Sequence, residues 1–518
     1  MIRIDPDLTP QTLTSQIEKL FQLSAAKIKV IASGFDAAQG SPVITVQGFY
    51  VSRDWTEWTE GFHYGSALLQ FDATGEAWFL DWAKKQTVER MAAHVTHLGV
   101  HDHGFNNVST YGNLLRLATE GRIEASAFEK HFYAFALKVS GAVQAARWAS
   151  TRDGRGYIYS FNGAQSLFAD TIRSLRSLAI AHRLGHALRG ENDRRISLLD
   201  RLVQHAAVTA EFNVYYGEGR DAYDVPGRVA HESIFNPADG AYRCPSTQQG
   251  YSPFTTWTRA LAWIMCGYAE ELEFLKTASD RELEPLGGRA KIETMMRRAA
   301  QVTCDYYLDQ AATDGIPYWD TGAPHLEKLG DWRNQPSDPF NAYEPVDSSA
   351  AAIAAQGLWR FGTYLLSAED LRDGPPLPPD PLRQGGEGSQ SVLLSPHPLE
   401  GEGSRAIPFS PRPLGGEGLG VRGKGRGGEH YRQAALTIAR ALFGPPYLST
   451  DPHHQGLILH SVYHRPRGWD YVPPGRQVPC GESSMWGDYH ARELALLILR
   501  AARKASYLSF FNVMDPGE

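Results

Sequence analysis

The chain has 518 residues, of which 42% are hydrophobic and 11% aromatic, and its formal net charge is −7 at pH 7. This composition is typical of a globular protein with a large core. The acidic balance argues against a nucleic-acid partner, which requires a basic face, whereas one pocket can still be locally cationic and take an anionic small molecule.

The protein is expected to be cytoplasmic. The four cysteines are scattered and form no CxxC pair, which is typical of free thiols in a reducing compartment. The first residues, MIRIDPDLTPQTLTSQ, carry acids and proline where a signal peptide has a basic and then an apolar run. No segment approaches the ~20 apolar residues that a membrane span needs, so we expect a soluble protein without a membrane partner.

Helix patterns dominate the chain from its beginning. Leu13, Ile17, Leu20 and Phe21 share one face of a helix predicted within residues 1–31. Residues 43–52 alternate like a short strand. Beyond them, apolar residues recur every three or four positions near residues 79–83, 114–117, 167–178, 198–208, 261–268, 351–358, 435–442 and 491–499. About a dozen helices with few strands predict an all-α fold of antiparallel helix hairpins closed into a ring.

One segment departs from this pattern. Residues 373–429 are rich in Gly, Pro, Ser and Arg and have no apolar period, which predicts a disordered insertion in a single domain spanning 1–518. The insertion contains GLGVRG at 418–423, which matches the dinucleotide pattern G-x-G-x-x-G. Because no strand precedes that match, it does not indicate a nucleotide site, and we predict no cofactor.

Three short stretches carry candidate catalytic side chains. They are HDHGF at 101–105, Asp170 among apolar residues, and His231 on a predicted loop or hairpin. The structural alternatives are a helix N-cap for Asp102, a solvated face for Asp170 and a packing role for His231. His101, Asp102 and His103 could also ligate a metal, but adjacent residues do not easily face one ion and no HExxH is present. We therefore predict no metal site.

A fourth stretch, residues 245–263, reads PSTQQGYSPFTTWTRALAW. A polar loop that leads into a helix is a common way to aim side chains at a small molecule. Here the loop holds Gln249 and the helix holds Trp257, Arg259 and Trp263. We interpret Arg259 as a guanidinium that can grip a carboxylate, the alternative being a surface cation beside core tryptophans.

Taken together, these motifs resemble the unsaturated glucuronyl hydrolases, glycoside hydrolase family 88. The resemblance includes W-T-x-G-F at 58–62, H-D-x-G-F at 101–105, Asp170, His231 and the TWTR run before Trp263. It continues with PYWD at 317–320, DSSAAAIAA at 347–355 and WGDYH at 486–490. The motifs occur in order between about residues 50 and 500. This family implies an (α/α)6 barrel and removal of a 4,5-unsaturated uronic acid from the non-reducing end of lyase-generated oligosaccharides.

The resemblance also assigns roles. Asp170 falls on the family's general acid and base, and Asp102 on its partner aspartate. The substrate-binding positions are taken by His101, His231, Gln249 and Arg259, with aromatic positions at Trp58, Trp257 and Trp263. The chemistry is protonation of C4 and hydration of C5 of an enol ether, which requires a protonated Asp170. Its apolar neighbours and Asp102 are expected to raise the pKa of Asp170.

Other functions fit some of the same residues. The unsaturated rhamnogalacturonyl hydrolases share the fold and the aspartate pair. A sugar epimerase would use paired histidines, for which His101 and His231 are candidates. A sugar-binding protein would need the tryptophans but not two aspartates in an apolar setting.

Overall fold

The structure is a computed structural model that describes residues 1–53, 57–373 and 426–513. All contacts reported below lie within the unit formed by Met1–Ser367 and Arg426–Glu518. Its helices are α1 Thr14–Gly34, α2 Glu60–Thr74, α3 Ala77–Arg90, α4 Ala92–Val95, α5 His103–Asn107, α6 Asn113–Thr119, α7 Ala127–Ala146, α8 Thr171–Ser174, α9 Arg176–Arg183, α10 Leu198–Phe212, α11 Thr258–Leu275, α12 Asp280–Leu283, α13 Arg289–Gln310, α14 Ser348–Asp373, α15 Gly428–Leu442 and α16 Met485–Ala502.

Short strands occupy some of the connections. They are β1 Ile44–Val46, β2 Phe49–Val51, β3 Trp148–Ser150, β4 Gly156–Ile158, β5 Ser166–Phe168, β6 Leu188–Arg189, β7 Arg195–Ile196, β8 Glu232–Phe235 and β9 Tyr242–Ser246. They form two-stranded antiparallel pairs, except that β5, β8 and β9 form a three-stranded sheet in the order β5-β8-β9. The predicted all-α class is confirmed.

Within the described residues, the long helices pair as hairpins that follow one another around a ring. Helix α2 packs on α3, α7 on α9, and α11 on α13, and α16 closes the ring against α2 and α1. Helices α14 and α15 approach closely, because a Cβ on Gly362 would lie 2.5 Å from the carbonyl oxygen of Gly428. Helices α2, α11 and α16, and residues 348–367 of α14, are buried on nearly every face, which identifies them as members of the inner layer.

A network of buried ion pairs joins α8 to three of these helices, α11, α14 and α16. Arg173 Nε of α8 lies 2.7 Å from Glu270 Oε2 of α11, and Arg173 Nη2 lies 3.4 Å from Glu493 Oε2 of α16. Arg360 of α14 pairs with Glu493 at 3.1 Å. All four side chains are buried. Removing one partner of such a network leaves an uncompensated buried charge and costs ~3–5 kcal/mol, so these pairs hold the inner helices in one arrangement.

Two predicted elements differ from the structure. The alternating segment 43–52 is not one strand but a hairpin, since β1 and β2 pair in antiparallel register. Gln47 and Gly48 between them have φ of 53° and 84°, the left-handed values that a two-residue hairpin turn requires. In the predicted insertion, residues 374–425 lie outside the described residues, so their disorder stays a prediction. Gly428 and Glu429, which the prediction included, are the first residues of α15.

Several histidines are buried inside the fold as neutral side chains. Burial lowers the pKa of His205 and His490 to about 3 and that of His63 and His103 to about 4. None of the described helices is both long and apolar enough to cross a membrane.

These histidines predict loss of stability in acid. In the unfolded chain they bind protons below pH ~6.5, whereas in the folded protein they stay neutral to about pH 4. The unfolded state therefore binds more protons between these limits, and stability falls as the pH is lowered through this window. We expect the urea midpoint to drop steadily from pH 7 to pH 5. His205→Gln should flatten that slope, and a midpoint independent of pH would contradict the interpretation.

Candidate active site

A cavity of about 590 Å³ opens within the ring of helices and contains eight of the nine predicted site residues. Loops contribute most of its wall. The lining residues are Trp58, His97, Gly99, Val100, His101, Asp102, Phe105, Phe161, Asn162, Phe168, Asp170, Gln248, Gln249, Trp257, Arg259, Trp263, Tyr463, His464, Arg467 and Trp469. The ninth predicted residue, His231, lies directly behind this wall.

Asp102 occupies the N-cap position of α5 but does not cap it. Its carbonyl oxygen accepts from Phe105 and Asn106, at 2.9 and 3.1 Å, while its carboxylate makes no capping hydrogen bond. The side chain is buried and faces the cavity. The structural alternative of a helix cap is therefore not what the carboxylate does, and its charge is directed to the site.

Asp170 has the same local setting on another helix. It follows strand β5 and precedes α8, again at an N-cap position without a side-chain capping bond. Its side chain is 13% exposed and lines the cavity, so it does not lie on a solvated face. Two short helices thus begin at aspartates whose carboxylates do not cap the helix and instead face the same cavity.

The imidazole of His101 joins the two carboxylates. Its Nε2 lies 3.2 Å from Asp170 Oδ1 and 3.8 Å from Asp102 Oδ1. Gln144 Nε2 fixes the backbone by donating to the His101 carbonyl oxygen at 2.9 Å. Phe168 packs edge-on against the ring, with centroids 5.4 Å apart. The side chains of His101, Asp102 and Asp170 thus lie close enough for the charge on each to affect the pKa of the others.

The pKa values in this group are set by burial and by mutual charge. Burial raises the pKa of Asp102, and the nearby Asp170 charge adds to that effect. For Asp170, burial alone would also raise the pKa, but the charge and hydrogen bond of His101 bring it below its usual value. Burial opposes protonation of His101, yet the two carboxylates raise its pKa. The prediction that the pKa of Asp170 is raised is therefore wrong for the free site, because sequence did not show the imidazole contact.

His231 is positioned by the three-stranded sheet. Its carbonyl oxygen accepts from the Ala169 backbone N–H at 2.9 Å, which continues the β5–β8 pairing by one residue. This bond places His231 beside Asp170, the residue that follows Ala169. Nδ1 accepts from the Gln248 backbone N–H at 3.2 Å. Burial lowers the pKa of His231 to about 4. The neutral ring therefore carries its proton on Nε2, which has no hydrogen-bond partner among the described residues.

Arg259 is engaged by protein oxygens. Nη1 pairs with Asp347 Oδ2 at 3.0 Å and donates to the Val462 carbonyl oxygen, and Nη2 donates to Tyr463 O at 2.7 Å. Nη2 also donates to Gln249 Oε1 at 3.0 Å. Both terminal nitrogens are occupied by these protein oxygens. The predicted bidentate hydrogen bonding of Arg259 to a substrate carboxylate would therefore require breaking these bonds. Arg259 instead joins three segments around the cavity.

The predicted tryptophans form aromatic walls. Trp58 stacks on Trp486 with centroids 5.0 Å apart. The Trp257 ring lies between the imidazole of His231, at 4.7 Å, and the guanidinium of Arg259, at 4.4 Å. Trp263, one turn after Arg259 on α11, packs on Phe105 with ring centroids 4.8 Å apart. Flat apolar faces beside polar groups suit a sugar ring.

The sequence prediction missed one side of the cavity, the loop 463–469. Tyr463, His464, Arg467 and Trp469 all reach the cavity from this loop. Asp470 shapes it by accepting the backbone N–H groups of Tyr463 and His464. The run YHRPRGWD, with aromatic and basic residues outside any helix period, was the signal that could have identified it.

The metal alternative weighed in the HDH motif does not fit the geometry. His103 turns away from Asp102, since its Nδ1 bonds to Ser140 Oγ at 2.9 Å and its Nε2 to the His97 carbonyl oxygen at 3.0 Å. Both ring nitrogens are therefore occupied by protein groups. His101 and Asp102 remain beside Asp170 as a cluster of titratable side chains.

Comparison with known proteins finds relatives that are similar in sequence. Two curated relatives are both unsaturated glucuronyl hydrolases: one from Formosa agariphila is 24% identical over 311 residues, and one from Bacillus sp. (strain GL1) is 27% identical over 334. The matches cover 60% and 62% of this chain and 64% and 72% of those proteins. The chain thus spans less than two thirds of the Formosa protein. No family model matches the sequence.

Solved structures of unsaturated glucuronyl hydrolases share the fold. An unsaturated glucuronyl hydrolase specific for heparin aligns with a TM-score of 0.63 at 16% identity, covering 95% of this chain and 98% of that one. The Bacillus sp. GL1 enzyme, responsible for glycosaminoglycan degradation, aligns with a TM-score of 0.60 at 19% identity over the same shares. The predicted family resemblance is confirmed. The unsaturated glucuronyl hydrolases and this chain have the α/α barrel in common.

Proposed function

We propose that this protein is a glycoside hydrolase with unsaturated glucuronyl hydrolase activity. The observation that carries the proposal is the cluster of Asp102, His101 and Asp170 in a tryptophan-walled cavity, in a chain that resembles these enzymes in sequence. The substrate class is an oligosaccharide whose non-reducing end is a 4,5-unsaturated uronic acid. A solved variant of a structural neighbour carries dGlcA-Glc-Rha-Glc, and another carries dGlcA-GalNAc6S, which supports this class.

The chemistry is hydration of an enol ether. A proton added to C4 places positive charge on C5 and the ring oxygen, and water then adds at C5. The resulting hemiketal opens, and the neighbouring sugar leaves as an alcohol. One group must give a proton to carbon and later accept one from water, which is the work of a single positioned acid and base.

We assign that role to Asp170, with His101 as the group that holds its proton in the free site. The Nε2–Oδ1 distance of 3.2 Å is within hydrogen-bond range, so the proton can move between imidazole and carboxylate. The pKa of His101 is raised and that of Asp170 is lowered, so the proton shared by the pair lies on His101 in the free site. The pair therefore retains a proton that neither residue would hold in the same way without the other. The Asp102 carboxylate, 3.8 Å from the same Nε2, stabilises the charged imidazole and so keeps the proton available.

Recognition of the uronate is assigned to Gln249 rather than to Arg259 directly. Arginine is only a donor, so Gln249 must turn its Oε1 to Arg259 and direct its Nε2 hydrogens elsewhere. Gln249 lines the cavity, where these hydrogens can bond to a carboxylate. The buried guanidinium behind the amide then adds favourable charge without leaving Asp347 unpaired.

Gln249→Glu tests this assignment. A glutamate keeps an acceptor for Arg259 but replaces the donors with a second negative oxygen. We expect KM for the unsaturated disaccharide to rise roughly 100-fold, the scale of losing a charge-assisted hydrogen bond, with kcat changed far less. Steady-state kinetics on the acid and on its methyl ester measure the effect. Equal turnover of acid and ester by the native enzyme would contradict carboxylate recognition.

The activity itself is tested with a panel of lyase-generated disaccharides that differ in parent polysaccharide and sulfation. The expected result is loss of alkene absorbance together with release of the neighbouring sugar for at least one member. A saturated uronide of the same linkage is the control and should not be cleaved. Release of sugar from the saturated control, with the alkene absorbance of the panel unchanged, would overturn the proposal. The rhamnogalacturonyl alternative would be detected as preference for a rhamnose neighbour.

A further inference from the structure

A second cavity lies between the end of α1, the start of α2 and helix α3. Its volume is about 170 Å³, and Phe35 and Pro42 close its apolar side. The residues that carry its chemistry are Glu60, His63, Tyr64, Trp82, Gln86 and Arg90. This set shares no residue with the lining of the active-site cavity. The volume is many times that of a single water site (~10–15 Å³) and smaller than a typical drug-sized pocket (~300 Å³ or more).

His63 is the feature that indicates a ligand. Its side chain is 8% exposed, and its Nε2 is buried with no hydrogen-bond partner among the described residues. Buried polar atoms normally have partners, and His63 lines the cavity, so a ligand held there is the group available to pair with this nitrogen. Burial lowers the pKa of His63 to about 4, so the ring is neutral near pH 7. A neutral imidazole pairs well with an uncharged hydrogen-bond donor or acceptor.

The other polar groups add donors and acceptors without net charge. The Glu60 carboxylate accepts from Tyr64 OH and contacts His94 Nε2, each at 2.7 Å, and retains further lone pairs. Arg90 Nε donates to Gln86 Oε1 at 2.9 Å, which leaves the Gln86 amide N–H groups and the Arg90 terminal nitrogens as donors. One carboxylate and one guanidinium balance each other. Binding of a phosphate would require an excess of positive charge in the cavity wall, and binding of a metal ion would require an excess of negative charge.

Aromatic rings complete the wall. The His63 ring lies 5.0 Å from Tyr64 and 5.3 Å from Trp82, and Trp82 is partly exposed at the opening. Planar amide, carboxylate and guanidinium groups beside an indole are suited to a ring that bears hydroxyls on its edge and C–H groups on its face. We propose that this cavity is a second carbohydrate site, which binds one neutral sugar ring outside the active site.

Binding is measured on the full-length protein with methyl α-glucoside, methyl β-galactoside and N-acetylglucosamine as probes, by ligand-observed NMR titration. A ligand of this size is expected to bind with a dissociation constant on the order of 1–10 mM. Gln86→Leu removes the amide donors and should weaken binding at least 10-fold. Trp82→Ala should act in the same direction. Lys85→Ala, on the exposed face of the same helix, is the matched control and should bind like the native protein.

Glu60 is left unchanged in these variants. It contacts His94, whose Nδ1 lies 3.0 Å from Asn106 Nδ2 on α5, the helix that starts after Asp102. A change at Glu60 could therefore disturb the active site. Crystals soaked in the bound sugar should show it in contact with Gln86 and His63. Three outcomes would overturn the proposal: no binding up to about ten times the expected constant, binding unaffected by Gln86→Leu and Trp82→Ala, or ordered water alone in the soaked cavity.

Discussion

Asp170→Asn is expected to abolish turnover of unsaturated disaccharides, with a loss of at least ~10³–10⁴-fold in kcat. Asparagine keeps the size of the side chain but cannot carry a proton to carbon or accept one from water. The fold should be unaffected, because the Asp170 carboxylate caps no helix and its hydrogen-bonded side-chain partner is His101. Circular dichroism, thermal melting and substrate binding should match the native protein.

A matched variant controls for the loss of one helix-start carboxylate. Asp200, in the first turn of α10, bonds to the Gln204 side chain and does not line the cavity. Asp200→Asn should retain native activity. Substantial activity in Asp170→Asn, measured with protein free of native contamination, would remove Asp170 from the proton path.

Asp102→Asn is expected to lower kcat/KM by roughly 10²–10³-fold at neutral pH, and to change its pH dependence. In the native protein the charges of Asp102 and Asp170 raise the pKa of His101 against the effect of burial. Removing the Asp102 charge should lower that pKa. Since activity is expected to require the proton on the His101–Asp170 pair, it is lost as the pH rises through this pKa. The alkaline limb of kcat/KM should therefore move to lower pH in the variant.

The pH profile separates this role from a merely structural one. A general loss of folded protein would scale the whole profile without moving its limbs. An alkaline limb at the native position in Asp102→Asn would contradict the assignment of the proton to His101. The matched Asp200→Asn variant should show both the native rate and the native limbs.

Much of the fold could be predicted because helix periods are local. The apolar spacing near residues 351–358 and 491–499 falls in α14 and α16, and these residues are buried in the inner layer. The 43–52 hairpin was misread as a strand because Gln47 is not a usual left-handed turn residue, although Gly48 follows it. The motif at 347–355 begins α14, where Asp347 faces Arg259.

The candidate site was predictable in its members but not in their relations. His101 and Asp170 are 69 residues apart, and only the packing of α5 and α8 in one ring brings them to 3.2 Å. The sequence showed apolar neighbours around Asp170 but not the imidazole that lowers its pKa. Likewise, it showed Arg259 among aromatic residues but not the carbonyl oxygens of Val462 and Tyr463, more than 200 positions away, that occupy its donors.

The most direct measurement of the proposed chemistry follows the solvent proton. The native protein is incubated with an unsaturated disaccharide in heavy water, and the product is quenched early, before exchange beside the new C5 carbonyl becomes significant. Hydration at C5 predicts one deuterium at C4 per turnover, added to one face, with the alkene signal lost at the rate of sugar release. A released uronic acid that keeps its double bond and carries no deuterium at C4 would mean attack at C1 by an ordinary two-acid glycosidase, contrary to the roles given to Asp170 and His101.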